Sequence, residues 1–271
     1  AALFGSFLRA ALSDHGVDIG GWWLALGIGA LGLATLFAWR DMSVASRLML
    51  ILELSSITVI VYLGIRILVA VGGGEGLSAA PFRPDPSIGW WGIGYAVVFA
   101  VLSFAGFEAA TTLAEETRLP GRAIPLALVG SVVLAGVFFV FASYIQVIGF
   151  GLGNVKALVA SEAPLNTLAL KFGTLRMATA LDIATSVSAL SCVIGTVSAS
   201  ARMLFVLGRA GLSARAATVN PVHGTPSVAV GVVSVLMLAG LLGWAPLIGP
   251  TDYYDSVGTI GVLALIVAYM G

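Results

Sequence analysis

The residue best placed to do chemistry is Glu108, a carboxylate inside the apolar run FAVLSFAGFEAATTLAEETRLPGRAIP. At bilayer depth an ionisable side chain costs about 2.5–3.5 kcal/mol on insertion scales, so such groups face protein or a water-filled cavity. Two readings fit Glu108. It is a protonated or hydrogen-bonded lock between helices, or it is a gate or relay for a proton or another cation. Its neighbours are small (Ser103, Ala105, Gly106, Ala109, Ala110) except for Phe104 and Phe107.

A second concentration lies in residues 178–207, where Ser186, Ser188, Ser191, Thr196, Ser198 and Ser200 share one apolar segment with Cys192 and Gly195. Hydroxyls in such a segment bond to the carbonyl of the preceding turn or reach a neighbouring helix. Enzyme signals are lacking. His15 and His223 both fall between apolar runs, and neither HExxH nor GxSxG occurs. Without GxxxxGK[ST] there is no support for ATP-driven work. One cysteine permits no intrachain disulfide and gives no zinc pattern, and no cofactor signature appears.

The elements that must hold these residues are membrane spans. Of the 271 residues 59% are hydrophobic and 10% charged, and mean hydropathy is +1.06. Soluble domains carry about 25% charged residues, so this chain needs lipid as its solvent. Basic and acidic residues balance at 13 each, with no basic block for nucleic acid. A spanning helix takes about 20 apolar residues. Seven windows are expected to span, at about 21–39, 48–70, 89–113, 125–151, 178–207, 226–248 and 256–271. The runs are continuous rather than alternating, which excludes barrel strands. Pro125 and Pro226 are expected in the first turns of their helices, and 152–177 is expected to hold a short helix outside the bilayer.

Arg40, Arg47, Arg118, Arg122, Arg202, Arg209 and Arg215 fall on one side of this arrangement. Arg9, Arg66, Arg83, Lys156, Lys171 and Arg176 fall on the other. The first group is denser and closer to the span ends, which places it in the cytoplasm. Residues 1–12 read as the tail of an apolar helix, and the C-terminal run stops within a span. The chain therefore reads as an internal fragment of a longer protein.

The run SFAGFEAATTLAEETRLPGRAIPLAL resembles the sixth transmembrane helix and following loop of the amino acid–polyamine–organocation transporter superfamily. SCVIGTVSASARMLFVLGRAGL, followed by HGTPSVAV, resembles that family's eighth helix, its cytoplasmic loop and the start of the ninth. The seven windows then resemble helices four to ten. The implied fold is an all-α, inverted-repeat membrane transporter with broken helices, here incomplete. In that fold the first helix of each repeat is broken at the midplane and binds the substrate there. Gly106 suits a break, because glycine tolerates unusual backbone angles. The resemblance implies substrate contacts at Leu102, Ser103, Phe104, Ala105, Gly106 and Phe107, with freed carbonyls accepting from an ammonium and freed N–H groups favouring a carboxylate. The same residues in a continuous helix would form a small-residue packing face. It further implies gating or proton coupling at Glu108, and a place near the substrate or coupling ion for Ser191, Cys192 and Thr196.

Some relatives carry a coupling lysine in the fifth helix. RLMLILELSSITVIVYLGIRILV has none, and Ser56 stands at about that position. Glu53 is expected near the cytoplasmic end, available to a basic residue of a nearby loop. Glu115 and Glu116 beside Arg118 and Arg122 form either a solvated loop or a gate whose exposed pairs are worth about 0–1 kcal/mol. The expected function is secondary transport of amino acids or related amines across the cell membrane by alternating access, coupled to a proton, to sodium or to exchange. A receptor or structural bundle that binds without transport is the alternative, with a membrane enzyme behind it. Taken alone, the 271 residues are expected neither to transport nor to bind at normal affinity.

Overall fold

The computed structural model describes residues 1–271 apart from 14–15, 18–19, 41, 75, 84–88, 105, 108–110, 112–116, 118, 162, 212, 222–223 and 271, and the side chains at 10, 42–46, 48, 95, 98–99, 102 and 269. Lipid offers no partners to backbone N–H and C=O groups, so a long apolar run must satisfy its own, and the helix does this within one segment. The described residues accordingly contain helices and no strand. They are α1 (Ala2–Ser13), α2 (Trp23–Arg40), α3 (Met42–Gly73), α4 (Gly89–Phe104), α5 (Pro120–Phe150), α6 (Val155–Ala160), α7 (Pro164–Phe172), α8 (Leu175–Arg209), α9 (Ser227–Gly243), α10 (Ala245–Ile248) and α11 (Pro250–Met270).

Among the described residues, five helical segments are long and apolar enough to cross a membrane: Gly20–Arg40, Met49–Gly73, Pro120–Phe150, Leu175–Arg209 and Ser227–Ile248. This is an all-α, multi-pass integral membrane protein. The helices of the expected third and seventh windows are not among the five. Helix α4 has only 16 residues, and α11 opens on the polar Thr-Asp-Tyr-Tyr-Asp.

Helix α5 starts at Pro120, so Pro125 lies inside the helix and not in its first turn. The polar stretch around Arg122 reads as loop by hydropathy, yet Pro120 at the first helical position gives up only an N–H that would be unpaired anyway. Pro226 is the residue before α9 and caps it from outside. Between α5 and α8 lie two short helices, α6 and α7, where one was expected.

The chain divides into two compact units. The first comprises Ala1–Val59 and Thr179–Val257. Its core is a seam of α2, α8 and α9: Leu31, Ala34 and Ala38 meet Ile194, Val197 and Ala201, and Ala229 and Val230. Alanine at 34, 38, 201 and 229 lets the backbones approach closely, which replaces the hydrophobic drive that lipid cannot supply. Polar groups fasten the same helices. Thr35 donates to Leu31 O at 2.7 Å and meets Ser234 Oγ of α9 at 2.8 Å. Thr225 donates to Trp39 O at 2.8 Å.

The second unit comprises Ile60–Ala178 and Gly258–Gly271. The C-terminal part of α3 packs on α5 and α7 there. Leu63, Ile67, Ile145 and Leu168 are fully buried. Gly64 faces Phe141 and Ile145, and Gly149 faces Leu168 and Ile67. Arg66 Nη2 donates to Phe172 O at 3.2 Å, and Lys171 Nζ to Gly149 O at 2.8 Å. Tyr144 donates to Ser78 O at 3.0 Å and stacks on Phe82.

Candidate functional site

Helix α4 ends at Phe104, although the apolar run continues to residue 113. Gly106 takes φ 108°, a left-handed conformation that L side chains rarely adopt. A Cβ at this position would meet nothing within 4 Å. Backbone conformation, not crowding, is therefore what calls for glycine here.

The side chains around this end have different fates. Phe104 is half-buried and packs edge-on against Phe139 of α5, with ring centroids 5.4 Å apart. Phe107 is 38% exposed and Ser103 is exposed. Leu102 lies in the last turn of α4. Ala105 and Glu108 lie outside the described residues, as do Glu115, Glu116 and Arg118 of the following segment, and His15 and His223.

The other predicted group, Ser191, Cys192 and Thr196, belongs to the first unit, on α8. Four hydroxyls of this helix turn back on their own backbone. Thr185 donates to Leu181 O, Ser186 to Asp182 O, Thr196 to Cys192 O and Ser198 to Ile194 O, at 2.7–2.8 Å. Ser191 does not. Its Oγ is buried and has no hydrogen-bond partner among the described residues, and the residue is 1% exposed. Leaving a buried hydroxyl unpaired costs about 1–3 kcal/mol. Cys192, the next residue, is an exposed free thiol.

Ser188, one turn earlier, is committed to another helix. Its Oγ lies 3.0 Å from Glu53 Oε1 and 3.1 Å from Oε2. Among the described residues, the partner of Glu53 is thus a hydroxyl of α8 rather than the basic loop residue expected. Two further contacts fix the register. Met49 Cε lies against Gly195, where a Cβ would approach it to 3.1 Å, and Ser56 Oγ donates to Ala184 O at 2.9 Å. Residues 49, 53 and 56 follow the i, i+4, i+7 spacing of one helix face. Their partners 195, 188 and 184 descend in step, so α3 and α8 pack antiparallel here. The sequence carried one sign of this seam, Glu53 and Ser56 three residues apart in a mainly apolar window that also holds Ser55, Thr58 and Arg66.

The amino acid permease family model matches residues 1–270. The chain is similar to the branched-chain amino acid permease BcaP of Bacillus subtilis (strain 168), 24% identical over 187 residues, or 69% of this chain and 38% of that protein. It is also similar to cationic amino acid transporter 1 of Arabidopsis thaliana, 57% identical over 42 residues, or 15% of this chain and 7% of that one. The chain spans well under half the length of these curated relatives. No solved structure gives a significant match. With a model that spans nearly all its residues, the chain belongs to the amino acid permease family.

Proposed function

We propose that the full-length protein is a secondary active permease that moves amino acids or related amines across the cell membrane by alternating access, driven by a proton, another cation or exchange. The observation that carries the reading is the end of α4 at Phe104 followed by Gly106 at φ 108°, inside a chain matched by the permease family from 1 to 270. Both named relatives are amino acid carriers by their descriptions, one for branched-chain and one for cationic substrates.

In this reading the carbonyls at Leu102–Ala105 accept hydrogen bonds from the substrate ammonium. Backbone N–H groups beyond Gly106 take the carboxylate, as half-helix termini do in transporters with broken helices. Glu108 gates the path or carries a proton. On α8, Ser191, Cys192 and Thr196 are assigned contact with substrate or coupling ion. An unpaired hydroxyl at Ser191 supports this, because a buried donor kept without a protein partner is available to a ligand.

Reconstitution of the full-length protein in proteoliposomes tests the proposal. Labelled amino acid is expected to accumulate under an imposed proton or sodium gradient, or to exchange against internal amino acid. Absence of flux in all three formats would refute it, and saturable binding without flux would favour a receptor. Ser191→Ala separates ligand contact from structure. Removing an unpaired buried hydroxyl leaves thermal stability equal or higher. If the hydroxyl meets substrate, affinity drops about five- to tenfold, the worth of one neutral hydrogen bond near 1 kcal/mol. Unchanged affinity would remove Ser191 from the site.

A further inference from the structure

Glu53 is a carboxylate within the membrane-capable segment Met49–Gly73, and its hydrogen-bond partner is the neutral hydroxyl of Ser188. It stands on the α8-facing side of α3. Leu50, Ile51 and Leu54, on the other sides, are 61%, 65% and 55% exposed and form the outward face. Glu53 itself is half-buried, so it is held in the seam but not sealed from water. The neighbouring charged and titratable groups along α3 are Arg47, six residues before it, Tyr62, nine after, and Arg66, thirteen after; on α8, Asp182 lies six residues before Ser188 and Cys192 four after.

Among the described residues, the hydrogen bonds around it link α3 and α8 through Ser188, Ala184 and Ser56. Ser188 Oγ donates to the carboxylate. The carbonyl one turn before Ser188 is that of Ala184, which already accepts from Ser56 Oγ at 2.9 Å. Ser56 has a second acceptor, Leu52 O at 3.0 Å. Each hydroxyl thus has two places for its proton. A carboxylate is an acceptor only, whereas a carboxylic acid is a donor as well. When Glu53 is neutral, its O–H donates to Ser188 Oγ. Ser188 then turns its own proton to Ala184 O, the usual i−4 bond of a helical serine. Ser56 stays on Ala184 O, which has two lone pairs, or moves to Leu52 O. No donor is stranded in either form.

We infer that Glu53 is a proton-binding carboxylate of the transport cycle, held by a Ser188–Ala184–Ser56 hydrogen-bond relay that is satisfied in both its charged and its neutral form. The step is a simple protonation. Glu53 takes a proton from a hydronium ion, one O–H bond forms, one water is released, and the reverse step returns the proton on the other side. The inference rests on the proposed transport function. It adds a residue to it and makes the coupling ion a proton. The reporter is α8 itself, since the exchange of donor and acceptor between Glu53 and Ser188 takes place three and four residues before Ser191 and Cys192.

The test uses the full-length protein in proteoliposomes, with accumulation under a pH gradient and exchange at equal pH measured side by side. Glu53→Gln keeps the shape and the donor but cannot titrate. It is expected to lower pH-driven accumulation about tenfold or more, while exchange falls by no more than about threefold, a split of the size that coupling between sites commonly takes. Equal loss of both, or loss of neither, overturns the inference. So does wild-type transport that responds to sodium and not to a pH gradient. Absence of wild-type accumulation and exchange alike would instead refute the transport reading. If Glu53→Gln does not fold, Glu53→Asp and Ser188→Ala carry the test. Each retains a titrating acid with altered partners, so the pH of half-maximal uptake is expected to move, and an unmoved midpoint overturns the inference.

Discussion

Valine at Gly106 is expected to lower amino acid uptake by about ten- to a hundredfold, the equivalent of the roughly 1–3 kcal/mol that a non-glycine residue pays in a sparsely populated backbone region. The argument is conformational. At φ 108° the backbone stands where an L residue clashes with itself, and a β-branched one most of all. A Cβ there meets nothing within 4 Å, so the substitution leaves packing alone. The protein should therefore fold and insert, with the cost confined to the segment after α4. Either the chain straightens toward helix and withdraws the carbonyls proposed to meet the substrate, or it strains and holds them poorly. Gly106→Ala should fall between valine and wild type. Initial uptake rates normalised to the amount of folded protein decide it. A Gly106→Val rate within about twofold of wild type, below ~0.5 kcal/mol in barrier, would mean that the left-handed residue has no part in transport.

The second large effect is on stability. At Gly64 the space that was open at Gly106 is filled. A Cβ would press into the Phe141 ring, lie 2.8 Å from Phe141 Cε1 and 3.0 Å from Ile145 Cδ1, with backbone fully buried between two helices. Overpacking of this kind costs about 1–3 kcal/mol and sometimes more. Gly64→Val is expected to lower the thermal midpoint of the detergent-solubilised protein and to reduce its monodisperse yield. Phe141→Leu in the same background should recover part of the loss by vacating the contact. Gly29→Val is the matched control, because a Cβ at that exposed position of α2 meets nothing within 4 Å. A Gly64→Val protein as stable as the control would show that the α3–α5 contact is looser than drawn.

Legibility in the sequence followed the physics each signal reports. Run length reports the cost of burying polar backbone in lipid, so the all-α membrane character and the long helices 20–40, 120–150, 175–209 and 227–248 were readable. Hydropathy is blind to φ, and the apolar run 89–113 gave no sign that its helix stops at Phe104; only Gly106 did so. Polarity misled at the start of α5, where Pro120 and Arg122 looked like loop but lie in the first turn. The hydroxyls of α8 were visible as a group, whereas their division between backbone and neighbour was not. Whether Ser188 meets Glu53, 135 residues away, depends on the register of two helices, and nothing local in either segment encodes that. The same holds for Thr35 and Ser234.

The inward-turned hydroxyls of α8 bear on how the protein is made. A segment leaving the translocon partitions into lipid before its eventual neighbours are present, and each unsatisfied polar group then counts against it. Thr185, Ser186, Thr196 and Ser198 bring their acceptors with them, one turn back in the same helix. Ser188 and Ser191 differ: the first is tied to a partner helix, and the second has no hydrogen-bond partner among the described residues. A helix rich in serine can thus lower its own cost of entering the bilayer, and leave positions such as these to be resolved on assembly.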